Sequence, residues 1–261
     1  MAEALQRVIL RRAMDLPEKN SSYKQQEYWD RRFSKEDNFE WCKSYKDFEH
    51  LINEHVNRSD RILILGCGNS SLSEDMYRDG YRNIVNIDFS AVVIENMKRK
   101  CKDLTEMQWM VMDMTNMTFP EGSFEVIIEK ATLDALMVEE RDPWNPTGDI
   151  RNSMDCVLSQ VSKILKDGGR FISVTFSQPH FRKPFLAKLQ YNWSISQQTF
   201  GESFHFFFYV MEKGRPMSDE DKELEIYVEN KTKHDKDNKG ENEPCCRVAE
   251  DTEDFLFYVA L

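Results

Sequence analysis

Gly66-Cys67-Gly68 directly follows the apolar run Ile62-Leu63-Ile64-Leu65, and two carboxylates, Asp88 and Asp113, stand downstream. Glycine is required where backbone takes a positive φ or must approach a ligand closely. An acid at Asp88, 22 residues after Gly66, falls where open α/β sheets place the acceptor for ribose hydroxyls. Asp113 follows at the end of the next expected strand, where it could meet an adenine amino group. Either acid alone is an ordinary strand-end carboxylate. Two at successive strand ends, beside a glycine loop, indicate a nucleoside-type cofactor.

These groups need a scaffold that brings strand ends together, and the chain reads as one. Helical patterns over 22–34 and 44–53 precede a buried strand over 61–65. Helices over 70–78 and 90–100, the second opened by a serine cap at Ser90, alternate with strands over 83–88 and 107–113. Phe124–Lys130 reads as a strand, 152–165 as an amphipathic helix with Val157, Val161 and Leu165 on one side, and 170–176 as a strand after the turn Asp167-Gly168-Gly169. Two further strands, 193–200 and 204–211, flank Gly201-Glu202-Ser203 as a hairpin. The expectation is an α/β fold: a Rossmann-like, doubly wound, seven-stranded sheet, mostly parallel, with an antiparallel C-terminal hairpin. His205 reads as a core or edge histidine of the last strand.

The scaffold also discriminates between cofactors. A dinucleotide site wants a third glycine, where this chain has Ser71, so that the helix N-terminus can hold a pyrophosphate. S-adenosyl-L-methionine carries no phosphate, and its ammonium favours carbonyls and acids near the loop. The glycine loop alone leaves NAD and S-adenosylmethionine open; the missing glycine, the two acids and the terminal hairpin favour the methyl donor.

Composition sets the remaining bounds. The 261 residues hold one large domain with extensions: 1–21 as an N-terminal extension, 22–213 as the α/β domain, and 214–261 as an acidic, largely disordered tail. Within that tail the apolar segment 255–261 is expected to dock back on the body. The net charge of -11 is concentrated from Glu212 onward, where 15 acids face 8 bases. That argues against a nucleic-acid surface. No apolar run reaches the ~18–20 residues of a membrane span. Six cysteines without a CxxC pair read as free thiols of a reducing, cytoplasmic setting, and no metal site is expected. A monomer is the expected state.

The string ILGCGNSSLSEDMYRDGYRNIVNIDFSAVVIENM, then MDMTNMTFPEGSFEVIIEKATLDAL, resembles the class I, seven-strand S-adenosylmethionine-dependent methyltransferases. Within them it is similar to the lysine methyltransferases of translation elongation factor 1-alpha. Tyr28-Trp29-Asp30-Arg31-Arg32-Phe33 and Glu140-Arg141-Asp142-Pro143-Trp144 bring it nearest the branch that also forms the N-terminal part of an endothelin-converting enzyme fusion. The resemblance implies a protein-lysine N-methyltransferase acting on elongation factor 1-alpha. It implies cofactor contacts at Trp29, Phe33, Trp41, Gly66, Asp88, Phe89, Asp113, Met114 and Lys130. Phe33 stands where the family has a tyrosine, and Ala131 replaces the glycine of its Glu-Lys-Gly-Thr-Leu-Asp motif, read here as Glu129–Asp134.

A lysine acceptor must shed its proton before attack, and a carboxylate can orient it or relay that proton. Glu129 and Asp134, expected at the pocket mouth, are the candidate acceptor-side acids. The bland alternatives are a salt bridge for Glu129 and a helix cap for Asp134. Trp29, Phe33, Phe39, Trp41 and Tyr45 crowd the segment before the first strand; Trp29 and Trp41 are expected to form a lid facing the cationic sulfur. The loop 139–148 and the segment His180-Phe181-Arg182-Lys183-Pro184 stand where substrate-recognition insertions occur. Rival readings are methylation of another protein or a small molecule, and a non-catalytic module that binds the cofactor.

Overall fold

The computed structural model describes Pro17 and residues 19–138, 142, 144–202 and 204–238. Most of the N-terminal extension, Glu140, Arg141 and Pro143 of the family-like string, Ser203, Cys245, Cys246 and the apolar segment 255–261 lie outside the described residues.

Seven strands, β1 (Ile62–Leu65), β2 (Ile84–Asp88), β3 (Gln108–Val111), β4 (Phe124–Lys130), β5 (Leu165–Thr175), β6 (Trp193–Phe200) and β7 (Phe206–Lys213), form one sheet in the order β3-β2-β1-β4-β5-β7-β6. β1 to β5 run parallel; β7 is antiparallel to both of its neighbours, β5 and β6. This is the expected doubly wound sheet with its terminal hairpin. The order reverses at β1, whose two neighbours β2 and β4 lead away in opposite directions, and such a reversal opens a crevice at the strands' carboxyl ends.

Period-two alternation splits the strand side chains between two cores. Ile62 and Ile64 face one layer with Val126, Ile128, Ile172 and Phe208, while Leu63 and Leu65 face the other with Ile127, Phe171 and Tyr209. On the first layer pack α1 (Gln26–Phe33), α2 (Tyr45–His55), α3 (Leu72–Arg78) and α4 (Ala91–Lys100). The second is covered by α6 (Gly148–Ile164) and α7 (Pro179–Leu186), with the short α5 (Thr132–Leu136) between β4 and α6. Ile150, Met154, Val157, Leu158 and Val161 put α6 on the sheet at helical spacing. The serine cap of α4 forms as expected, Ser90 accepting from the Val93 N–H at 3.3 Å.

Several elements depart from the sequence reading. The expected helix over 22–34 is a 3-10 turn, Asn20–Lys24, then α1, because Gln25 is extended. β3 stops at Val111, so Asp113 sits in the turn beyond it, where its carboxylate accepts from the Thr115 N–H at 2.7 Å. His205 is exposed, outside the strand. The stretch after Gly214 does not begin in disorder: α8 (Asp219–Asn238) forms there. Ser218 caps it by accepting from the Asp221 N–H, and Lys183 reaches the buried Asp221 at 3.0 Å. Ion pairs and caps, rather than an apolar stripe, hold this helix, so the pattern of hydrophobic residues did not announce it.

Candidate active site

The crevice at the β1 reversal is a cavity of about 270 Å³. All nine residues expected to touch a cofactor line it: Trp29, Phe33, Trp41, Gly66, Asp88, Phe89, Asp113, Met114 and Lys130. Gly66 and Gly68 both have positive φ, 69° and 50°. At Gly66 the glycine is enforced twice, since a Cβ would lie 2.7 Å from Thr132 Oγ1 and closer still to Cγ2. Thr132, the first residue of α5, donates from Oγ1 to the Leu65 carbonyl at 2.9 Å, which clamps α5 onto the loop.

Asp88 faces this loop with little surface open. Its two oxygens accept from the Gly68 N–H at 3.0 Å and the Ser90 N–H at 2.9 Å. Burial pushes the carboxyl up to about 6, against the pull of those two amides. Each oxygen keeps acceptor capacity for the paired hydroxyls of a ribose. Cys67, between the glycines, is buried, and burial raises its thiol well above the ordinary value, which removes it as a nucleophile.

The lid is an aromatic shell built on one cation. Trp29 and Phe33 stack at 5.4 Å, Trp41 meets Trp29 edge-on at 6.5 Å, and Phe39 meets Trp41 at 4.8 Å. The guanidinium of Arg32, almost fully buried, lies 4.5 Å from the Phe39 ring centre and 5.2 Å from that of Trp41. Glu36 neutralises it through two hydrogen bonds, at 2.9 and 3.2 Å. The Glu36 carbonyl accepts from Asn69 Nδ2 at 3.0 Å, latching the lid to the glycine loop. Phe33 packs over Gly68. Tyr45 stands apart from the cavity, donating to Asp79 at 2.6 Å.

A residue the sequence gave no reason to single out decides between the two cofactor classes. Glu40 accepts from the Ser71 N–H at 2.5 Å and from the Ser70 hydroxyl at 2.8 Å, and its other partner is the Lys130 ammonium at 2.8 Å. Burial works to raise this carboxyl, but Lys130 and the loop donors hold it below the ordinary range. An anion of the protein thus fills the place where a dinucleotide would put its pyrophosphate. Lys130 also donates to the Trp41 carbonyl at 2.6 Å, so it holds the lid instead of offering a free positive charge. Glycines for close approach, Asp88 for a diol, Met112 and Met114 as apolar wall and aromatics for a sulfonium fit S-adenosylmethionine.

Residues 57–230 match the family described as a methyltransferase domain. The chain belongs to that family. It is 42% identical over 207 residues to EEF1A lysine methyltransferase 4 of Mus musculus, covering 78% of this chain and 81% of that one. It is 35% identical over 171 residues to the human eEF1A lysine and N-terminal methyltransferase, a match spanning 64% of this chain and 24% of that one. Among solved structures, the chain seen in complex with the Haloferax volcanii Trm112 methyltransferase activator superposes with a TM-score of 0.53 at 14% identity, over 73% of this chain and 96% of that one. The [4+2]-cyclase SpnF also superposes, with a TM-score of 0.50 at 11% identity over 65% and 80% of the two chains, so the fold alone does not fix the chemistry. The methyltransferase takes S-adenosylmethionine as its methyl donor.

Glu129 and Asp134 are not where the sequence reading put them. Neither lines the cavity; both are buried beneath its floor. Glu129 caps α5, accepting from the Thr132 and Leu133 N–H groups at 2.9 and 3.2 Å, and takes the Ser173 hydroxyl as well. Asp134 pairs with the fully buried Arg182 at 2.5 Å and accepts from Thr175 Oγ1 at 2.7 Å. The bland alternatives hold with the residues exchanged: Glu129 makes the cap and Asp134 the salt bridge. Burial raises both carboxyls, and the Arg182 charge opposes it. Ala131 has φ 60°, so the family's glycine position does demand the left-handed region, and alanine adopts it.

Proposed function

We propose that this methyltransferase modifies a lysine side chain of a protein, and that the protein is translation elongation factor 1-alpha. The observation that carries the reading is the gathering of nine family-type contact residues around one cavity, in a chain 42% identical to a relative named for that substrate. The donor, when bound, supplies an electrophilic methyl carbon on a sulfonium. The acceptor amine, deprotonated, presents its lone pair to that carbon in line with the breaking carbon–sulfur bond, whose electrons stay on sulfur.

The chain's own residues position and exclude water. Asp88 would hold the ribose end through its free lone pairs, the turn after β3 at Asp113 and Met114 would take the adenine, and Trp29 and Trp41 would cover the reactive end, all five lining the cavity. An acceptor amine loses its proton more readily beside these apolar rings, since desolvation disfavours the ammonium. Glu129 and Asp134 act one step back: they fix α5, and α5 presents Thr132, Ala135 and Leu136 to the cavity. A cytoplasmic setting belongs to the same proposal, and the described cysteines, Cys42, Cys67, Cys101 and Cys156, are all free.

The test is transfer of a labelled methyl from S-adenosylmethionine to purified elongation factor 1-alpha, with the label mapped by peptide mass. Label on lysine supports the reading. Cofactor binding without label on any protein of a whole lysate sinks it and favours a small-molecule acceptor.

A further inference from the structure

The cavity is asymmetric along its length. Asp88, Phe89, Asp113 and Met114, from the ends of β2 and β3, line one side of the glycine loop; Ala135 and Leu136, from α5 after β4, line the other, with Thr132 against the loop itself. The nucleoside belongs on the first side, so an acceptor has to come in over the carboxyl ends of β4 and β5. Trp144, from the stretch after α5, meets the first turn of α7 after β5 there. Trp144 stacks on His180 with ring centres 4.9 Å apart and planes 13° apart, and meets Phe181 edge-on at 5.0 Å. Although held on that side, Trp144 is 64% exposed. Its backbone carbonyl accepts from Lys231 of α8 at 2.9 Å, which brings the C-terminal helix alongside.

That helix is acidic where it faces solvent. From Asp219 to Lys233 it carries six acids and three lysines, and Asp219, Glu220, Glu223 and Glu229 are exposed together with Ile226 and Tyr227. An ordered, mostly open tryptophan beside an apolar and acidic helix face is the composition of a contact centre for a basic chain. The ring can also take a cationic side chain on its face.

We propose that the Trp144–His180–Phe181 surface, flanked by the acidic face of α8, is where the basic polypeptide around the acceptor lysine docks. This rests on the reading that the acceptor is a protein lysine. The docking contact lies outside the cofactor cavity, so it raises affinity for the substrate protein without touching the methyl donor.

Steady-state transfer of labelled methyl to purified elongation factor 1-alpha tests it with the full chain. Trp144→Ala should raise KM for the protein substrate by about tenfold, the scale of a central aromatic contact. Its kcat, its melting temperature and its calorimetric Kd for S-adenosylmethionine should not change, and Trp144→Phe should recover most of the loss. Glu220→Lys with Glu223→Lys should also raise KM, by a factor that shrinks as salt is added. An unchanged KM in Trp144→Ala overturns the docking proposal while leaving the lysine reading intact. So does a variant whose only change is in self-association by light scattering, which would make a second copy the occupant. If the unmodified chain labels no protein, both readings fail together.

Discussion

Asp88 and Asp134 are both aspartates with less than a tenth of their surface open, 6% and 4%, and their neighbours give them different work. Asp88 is held by two backbone amides and faces the cavity. Asp134 is held by a guanidinium and a hydroxyl beneath the floor, with Oδ2 left unpartnered, as are Nε and Nη1 of Arg182. A carboxylate fixed by neutral donors keeps its charge for a ligand. One fixed by a buried cation has spent that charge within the fold. Burial alone, which raises both, does not distinguish a binding residue from a brace.

Four experiments press on this contrast. Arg182→Met leaves Asp134 without its counter-charge and should cost about 3–5 kcal/mol in denaturant unfolding. Adding Asp134→Leu should restore most of it; a single variant as stable as the parent would break the brace assignment. Asp88→Ala should cost the fold less, about 1–3 kcal/mol for the amides of Gly68 and Ser90 left without their acceptor, and weaken S-adenosylmethionine by about 1.5–3 kcal/mol, the value of a hydrogen bond to a charged group, as read by calorimetry.

The third uses pH. Asp88 in the free protein titrates at about 6, above its ordinary value, so the folded chain holds this proton more tightly than the unfolded one. Its contribution to folding stability is present below the unfolded value of about 3.9 and is lost as pH rises through about 6. Ligand binding runs the other way, because ribose hydroxyls are best accepted by the ionised form. The Kd for S-adenosylmethionine should be flat above about pH 6 and rise below it, and Asp88→Asn should remove the dependence. Smallest is Ala131→Gly. Releasing a left-handed alanine returns about 1–2 kcal/mol, and the looser unfolded chain takes back about 0.4–1 kcal/mol, so a small rise in melting temperature is expected.

The sheet and the nucleoside end of the cavity were legible in the sequence for one reason: strand ends carry their information locally. Ile62–Leu65 announces a buried strand, the glycines announce the turn, and the acid that follows is fixed by strand length. The lid was legible only as a crowd of aromatics, because Arg32 and Glu36 read like any surface pair at helical spacing until the rings close over them. Glu40 carried no signal, since its partners Lys130 and Ser71 lie 90 and 31 residues away. The exchanged roles of Glu129 and Asp134 were hidden likewise. The partner that decides them, Arg182, comes 48 residues after Asp134 on a helix the hydrophobic pattern did not reveal. α8 was missed because a helix held by charge looks, residue by residue, like a solvated tail.

The latch between Glu36 and Asn69 also bears on tempo. The lid segment that covers the cavity is tied to the loop that forms its floor, and each catalytic cycle leaves a spent donor inside that must be exchanged for a fresh one. Asn69→Ala removes that tie, and a faster release of S-adenosylhomocysteine in stopped flow is the outcome expected if the latch holds the spent donor in place. Trp29 and Trp41 line the cavity, which makes their own fluorescence a label-free reporter of that exchange.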